Sequence, residues 1–488
     1  MSKSESPRGA AASFPGYELD PRFFDEMFEA DGSPRAGCHQ MTESLAGLAA
    51  GDLAKLQDSV YRRFLHEGIT FTVLGGEDVT ERIIPLDFVP RLMAGSEWDR
   101  IERGLKQRLA AINLFLRDIY HEGRSLRDGL VPLDLVFGCP KYRIEMRGID
   151  VPHDVYVAVC GTDLVRTRNG FAVLEDNLQV PSGVSYMLGC RDAVKGAFPD
   201  LYRAHRVREV SDYSERLYAI LASLAPSTRT PRVAILTPGL YNSAYYEHAL
   251  LAGEMGVDLV EGQDLVMRDA VLYARTTKGL ERIDVLYRRL DDDFLDPVTF
   301  RPESALGAAG LFHAYRAGSF VLANAPGTGV ADDKAVYAYL PRIIRYFLDE
   351  EPILDNVETH LCREPEGLAY TLEHLEDLVV KEVGGSGGYG MLIGPHASSA
   401  ERAEYADRIR ANPSNFISQP TLDLSRAPCY VDGRIESRHV DLRPFVLQGR
   451  DGLDVVPGGL CRVALPRGSL VVNSSQGGGC KDLWVFDG

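Results

Sequence analysis

The chain is poor in cysteine and in basic residues, and it has no long apolar run. Its eight cysteines, at positions 38, 139, 160, 190, 362, 429, 461 and 480, are scattered through 488 residues without a C-x-x-C pair. That spacing offers no zinc site and argues against a disulfide framework, which belongs to short secreted chains. Lysine and arginine number 53 against 70 aspartates and glutamates, a formal charge of −17. A phosphate backbone needs a basic face, so nucleic acid is not expected as a main partner, although a nucleotide held by a few local lysines is allowed. No apolar run comes near the ~20 residues of a membrane-spanning helix. Residues 1–16 are small and polar and lack the apolar centre of a secretion signal. The expectation is a cytoplasmic protein with reduced thiols, a disordered leader over 1–16 and no membrane partner; oligomeric state stays open.

A chain of this length supports two to four domains. Residues 17–120 read as mainly helical. Ile101, Leu105, Leu109, Ile112, Leu116 and Ile119 fall three or four apart and predict one buried helix face over 97–120. Ile69-Thr70-Phe71-Thr72-Val73 is a strand candidate. Between 121 and 226 the pattern turns to strands, at 155–159, 161–167 and 171–178. From 227 to 328 short apolar strands (232–236, 258–260, 283–287, 320–324) alternate with helical stretches such as 244–255, which predicts an open, mostly parallel α/β unit. Residues 329–488 return to a mixed α+β pattern.

The most informative segment is Val379-Val380-Lys381-Glu382-Val383-Gly384-Gly385-Ser386-Gly387-Gly388-Tyr389-Gly390-Met391. Glycines let a backbone approach a ligand closely, and successive amides beside a lysine suit a polyphosphate. The string contains Gly385-x-Gly387-x-x-Gly390, but the dinucleotide fingerprint must open a helix, and Gly394-Pro395 follows after three apolar residues. A P-loop places its lysine after the glycines. The reading left is a strand, glycine loop, strand hairpin with Lys381 on its first strand; a plain surface hairpin is the competing account.

Glu175 and Asn177, two apart at the end of a strand, share a face. A two-residue Asn169-Gly170 turn pairs Asp163 with Asp176, on the wrong face. A three-residue loop with Gly170 left-handed pairs Thr167 with Phe171 and Asp163 with Glu175, and this is the register expected. Two carboxylates and an amide oxygen on one patch suit magnesium; solvated strand-end residues are the alternative. Lys334 follows a glycine turn, Ala325-Pro326-Gly327-Thr328-Gly329-Val330-Ala331-Asp332-Asp333, into a helix predicted over 335–348, and helix starts favour anions. Asn415-Phe416-Ile417-Ser418-Gln419-Pro420 resembles a strand and hinge able to hold an adenine. In Arg438-His439-Val440-Asp441-Leu442-Arg443-Pro444, Asp441 and Arg443 share a strand face, where the arginine suits a carboxylate or phosphate or makes a structural ion pair.

Together with Tyr241-Asn242-Ser243-Ala244-Tyr245-Tyr246-Glu247-His248 and Tyr287-Arg288-Arg289-Leu290-Asp291-Asp292, these segments resemble the circularly permuted ATP-grasp type 2 family, related to glutathionylspermidine synthetase. The permutation shows in the order: the carboxylate group precedes Lys381 by about two hundred residues. The resemblance implies a mixed α+β and α/β chain: a permuted ATP-grasp fold split between 121–226 and 329–488, an α/β pre-ATP-grasp-like unit at 227–328 and a helical N-terminal region. It implies ATP and Mg2+ as cofactors, with Asp163, Glu175 and Asn177 as metal ligands and Lys334 and Lys381 on phosphates. The flap from Gly385 through Ser386, Gly387, Gly388, Tyr389 and Gly390, with Gln419, would contact the nucleotide. An arginine of the synthetase is matched here by Gly161; if phosphate or substrate needs a guanidinium, another arginine must supply it, with Arg438 or Arg443 as candidates. Tyr241, Asn242, Arg288, Arg289, Arg438 and Asp441 are expected substrate contacts. The implied reaction is an ATP-dependent ligation of a carboxylate to an amine, on small-molecule or peptide substrates, through an acylphosphate. A phosphotransferase or a non-catalytic ATP-binding scaffold are the alternatives. Cys38-His39, adjacent in sequence, offers no convincing amidase nucleophile.

Overall fold

Burial of one helical stripe organises the molecule. The apolar spacing over 97–120 produces the helix Gly95–Tyr120, and its six predicted positions are at most 3% exposed. Each such side chain contributes about 1.5–3 kcal/mol when buried. They share a core with Leu164 and Val173 of the carboxylate hairpin, Leu286 and Leu322 of the α/β unit, and Ile343 and Ile344. One helix therefore braces the elements that carry the candidate residues. The computed structural model describes residues 14–75, 78–225, 230–240, 242–385, 390–472 and 477–487, with the backbone alone for 71–75 and 78–82.

The largest sheet has seven strands, in the order Asp355–Asn356, Gly170–Asn177, Val159–Thr167, Arg443–Gly449, Gly452–Val463, Gly479–Phe486 and Leu86–Ala94. Its interior pairs are antiparallel, and a parallel pair closes each edge. The N-terminal region thus gives a strand as well as helices, since Leu86–Ala94 pairs with the C-terminal strand. The strand candidate near residue 70 is Thr70–Gly75, paired with Asp78–Ile83. The stretch 155–159 is no separate strand: a short 3-10 turn, Pro152–Asp154, precedes it and the strand starts at Val159.

The α/β unit forms as expected. Val321–Ala323, Val285–Arg288, Val233–Leu236 and Asp258–Val260 make a four-stranded parallel sheet in that order. Val233–Leu236 connects to Asp258–Val260 through the helix Tyr245–Met255. A further antiparallel sheet, His360–Leu361, Phe416–Pro420, Leu378–Glu382 and Leu392–Ile393, carries the flap hairpin. The hairpin predicted around Lys381 is present, with Val379 opposite Ile393 and Val380 opposite Leu392.

All eight cysteines are buried and free. Among the described residues no helix is long and apolar enough to cross a membrane. Of the expected leader, residues 1–13 lie outside the described residues, while Phe14 packs on Tyr17 and Phe28. Cys38 is buried ahead of the helix His39–Ala46, and burial pushes its thiol up to about 12, the reverse of an activated nucleophile.

Candidate active site

The carboxylate hairpin reaches the expected pairing by another route. Thr167 pairs with Gly170 across a two-residue turn, Arg168-Asn169, and Gly170 takes φ +109°. That register alone would set Asp163 opposite Leu174. A bulge between Val173 and Glu175 leaves Leu174 unpaired and shifts the ladder by one, so Asp163 faces Glu175 and Gly161 faces Asn177. The three-residue loop predicted from the sequence is therefore replaced by a shorter turn and a bulge. The opposite face belongs to the scaffold: Asp176 accepts from Arg108 Nε at 2.9 and 2.8 Å and from Thr162 Oγ1 at 3.0 Å.

Two lysines approach this patch from different elements. Lys334 opens the helix Lys334–Leu348, which Asp333 caps by accepting from Ala335 N at 2.8 Å. Its ammonium donates to Gly385 O at 2.6 Å and lies 3.5 Å from Glu175 Oε2. The Lys334 backbone N–H donates to Val383 O at 3.1 Å. The base of the glycine loop is thus seated on a helix start facing Glu175. Lys381, diagonal to Gln419 on the neighbouring strand, donates to Gln419 Oε1 at 2.8 Å. Burial pushes Lys381 down to about 8; Glu175 opposes that shift, and the Lys334 charge adds to it. Gln419 Nε2 donates to Thr359 Oγ1 at 3.0 Å, so both ends of that amide are engaged.

Below the carboxylates lies a buried set of alternating charges. Arg443 donates to Asp163 through Nε and, at 2.9 Å, through Nη2. Arg462 donates to Asp163 Oδ2 at 2.7 Å and through Nε to both oxygens of Asp441 at 3.0 Å. The two guanidiniums hold the Asp163 carboxyl well below the usual carboxylate range, whereas burial raises Asp441. A Cβ on Gly161 would sit 3.3 Å from Arg443 Cδ, so Arg443 occupies the space above that glycine. Of the two arginine candidates, Arg443 is the one beside Gly161 and Asp163. Arg438 instead pairs with Glu436 at 2.7 Å, donates to Leu465 O at 2.8 Å and lines a separate surface pocket with Arg426 and Arg467.

Other expected contacts lie elsewhere. Arg288 is fully buried and donates to Asn324 O, Leu290 O and Ala325 O at 2.6, 2.7 and 3.1 Å. Arg289 is 2% exposed and donates to Pro181 O, Tyr287 OH and Glu247 Oε1. Neither meets Lys381, Glu175 or Asp163 among the described residues. Asn242 Oδ1 accepts from Ala244 N at 2.9 Å, closing the turn before a helix. Tyr241, Ser386, Gly387, Gly388 and Tyr389 lie outside the described residues.

Sequence reasoning missed Arg462 and left Asp332 without a role. Arg462 stands in Gly458-Gly459-Leu460-Cys461-Arg462-Val463-Ala464-Leu465, and a lone charge in an apolar strand must find a partner; that is the signal that could have found it. Asp332 accepts from Leu178 N at 2.6 Å, one residue beyond Asn177, with Lys141 Nζ 3.9 Å away. Burial pushes Asp332 up to about 7.

The donor set fits magnesium bound with a polyphosphate. Magnesium typically takes one or two protein carboxylates and completes its shell with phosphate oxygens and water. Glu175 is a carboxylate beside one lysine, and Asn177 donates its amide nitrogen to Gly161 O at 3.2 Å, which identifies Oδ1 as the spare acceptor. Among the described residues, Asp163 spends three of a carboxylate's about four acceptor positions on guanidiniums, which leaves one. Among the described residues no group of three or more His, Cys, Asp or Glu side chains is arranged to hold a metal by itself.

The model of the circularly permuted ATP-grasp type 2 family matches residues 90–464. An uncharacterised protein of Synechocystis is 51% identical over 472 residues, covering 96% of this chain and 98% of its own. A Frankia casuarinae protein, provisionally named glutamate–cysteine ligase 2-2, is 42% identical over 475 residues; the match covers 95% of this chain and 54% of that longer protein. Among solved structures, a glutathione synthetase-like effector from Globodera pallida shares the fold, with a TM-score of 0.56 over 90% of this chain and 98% of its own at 11% identity. With the family's model matched from the strand that opens the large sheet to the one that carries Arg462, the chain belongs to the circularly permuted ATP-grasp type 2 family.

Proposed function

We propose that the protein is an ATP- and magnesium-dependent ligase that joins a carboxylate to an amine. The observation that carries this reading is the meeting of Lys334 and Lys381, from a helix start and a hairpin, at the root of a glycine loop opposite Glu175 and Asn177. MgATP, when bound, supplies the phosphoryl group that converts the acid to an acylphosphate, from which an amine displaces phosphate to leave the amide.

Such catalysis is mostly positioning and charge neutralisation. Lys381 would neutralise charge on the phosphates and in doing so recover the proton affinity that burial takes from it. Lys334 holds the loop through Gly385 O and turns its charge toward Glu175. Glu175 and Asn177, with the last acceptor position of Asp163, would hold magnesium. Arg443 stands over Gly161 beside Asp163, where it can bind the transferring phosphate or the substrate carboxylate. The name of the Frankia relative accords with amide formation between amino compounds.

The test is to incubate the protein with MgATP, candidate acids and hydroxylamine. Hydroxamate formation with ADP release, lost in Lys381→Ala, supports the ligase. ADP release on a hydroxyl acceptor, with no hydroxamate for any acid, would move the assignment to a phosphotransferase.

A further inference from the structure

Two motifs, the one containing Glu247 and the one containing Arg289, lie in the α/β unit, and the site described above uses neither. The structure joins them. Arg289 Nη2 and Glu247 Oε1 are 2.9 Å apart, and each side chain is 1% exposed. A buried ion pair loses several kcal/mol per ion in desolvation, about as much as its attraction returns, unless its remaining hydrogen-bonding capacity is used. Here much of that capacity is used on one segment, although Arg289 Nη1 also donates to Tyr287 OH and Arg289 Nε has no partner among the described residues. Arg289 Nη1 donates to Pro181 O at 2.6 Å, and Glu247 Oε2 accepts from Gly183 N at 2.8 Å and from both Ser185 N and Ser185 Oγ at 3.1 Å.

That segment, residues 178–185, is the direct continuation of Asn177. Three more of its backbone groups are held by other elements. Leu178 N donates to Asp332, Leu178 O accepts from Asn324 Nδ2 at 2.6 Å, and Ser182 O accepts from Arg443 Nη1 at 3.3 Å. Gly183, at φ +113°, lies where a Cβ would meet Leu460 at 2.8 Å, so the segment fits its place closely. The strap follows directly on a proposed metal ligand, contacts the arginine beside Asp163 through Ser182, and is fastened to the α/β unit by Glu247 and Arg289.

We propose that Glu247 and Arg289 are positioning residues for the magnesium–nucleotide site, a clamp from the α/β unit that sets Asn177 and Arg443 through residues 178–185. The proposal rests on the ligase reading. The clamp holds the strap in place before any ligand arrives, so Asn177 Oδ1 and the Arg443 guanidinium need no reordering when the metal binds.

The test uses Mn2+ as the metal probe, its free signal followed by electron paramagnetic resonance while a non-hydrolysable ATP analogue is present. Glu247→Gln keeps the shape and removes the charge; Arg289→Lys keeps the charge and removes the fork. Both should weaken Mn2+–analogue binding at least tenfold. Asp87→Asn, which breaks an equally buried pair with Lys481 that touches none of the strap, should lower the melting temperature and leave affinity unchanged. Wild-type affinity in folded Glu247→Gln and Arg289→Lys overturns the clamp, as does equal weakening in Asp87→Asn. If neither clamp variant folds, amide exchange in the wild type decides: the Gly183 and Ser185 amides should be as strongly protected without ligand as with the magnesium–analogue complex, and weak protection that rises only when the complex is added overturns the clamp. Failure of the wild type to bind Mn2+ and analogue at all removes the ligase reading, and the clamp with it.

Discussion

Nucleotide binding should draw a proton from solvent, and Lys381 sets how much. Burial holds this lysine at about 8 in the ligand-free protein, against ~10.4 for a free lysine. A polyphosphate beside the amine favours the charged form, so binding completes the protonation. From that value the uptake should be below about 0.1 proton at pH 7, about 0.5 at pH 8 and about 0.9 at pH 9. Calorimetric titration of the magnesium–analogue complex in two buffers of different ionisation enthalpy reads this number directly. At pH 8–9 the analogue's own phosphates are already fully ionised and add nothing. Lys381→Arg, which stays charged, should bind with no uptake. The same lysine couples to stability. Its folded value lies below its unfolded one, so the unfolded chain binds more protons between about pH 8 and 10.4, and ligand-free stability rises across that window. At neutral pH, keeping the buried amine charged costs up to about 3 kcal/mol at 1.4 kcal/mol per pH unit, less where solvent still reaches it. Lys381→Met should therefore raise the ligand-free melting temperature at pH 7 while abolishing stabilisation by nucleotide. Zero uptake at pH 8.5 in the wild type, or equal uptake in Lys381→Arg, would refute the reasoning.

Two further outcomes follow from the buried charges. Asp163→Asn leaves Arg443 and Arg462 short of a carboxylate and should cost about 3–5 kcal/mol by urea unfolding, part of it recovered by adding Arg443→Met. Because the Asp163 carboxyl is depressed in the fold, its stabilisation is present above about pH 4 and lost as pH falls below that; the variant should flatten this acid limb, and an unchanged limb contradicts the assignment. Asp176→Asn, on the partner strand of that hairpin and facing away from the site, should destabilise by a similar amount through Arg108, and a loss below about 1 kcal/mol would show that pair to be worth no more than a surface one.

Much of the fold was legible because periodicity is local. The stripe on Gly95–Tyr120, the parallel strands of the α/β unit and the hairpin around Lys381 all follow from apolar spacing and glycine placement. The site was legible in part. Asp163 and Glu175 do face each other, but through a bulge at Leu174 that apolar alternation does not reveal. Arg288 and Arg289 carry charges that read as ligand contacts, yet both are buried, because backbone carbonyls and the acids Asp292, in the same motif, and Glu247, from another segment, partner them.

The sequence by itself determined which residue types are available and how each local element presents them: a lysine entering a glycine loop, a Glu-x-Asn on one strand face, a lysine at a helix start. Only the tertiary structure decided which charges meet. Arg443 over Gly161, Arg462 between Asp163 and Asp441, and Glu247 with Arg289 on the strap all join segments far apart in the chain. A charge can enter the interior only against a partner, and chain topology decides which partner is there.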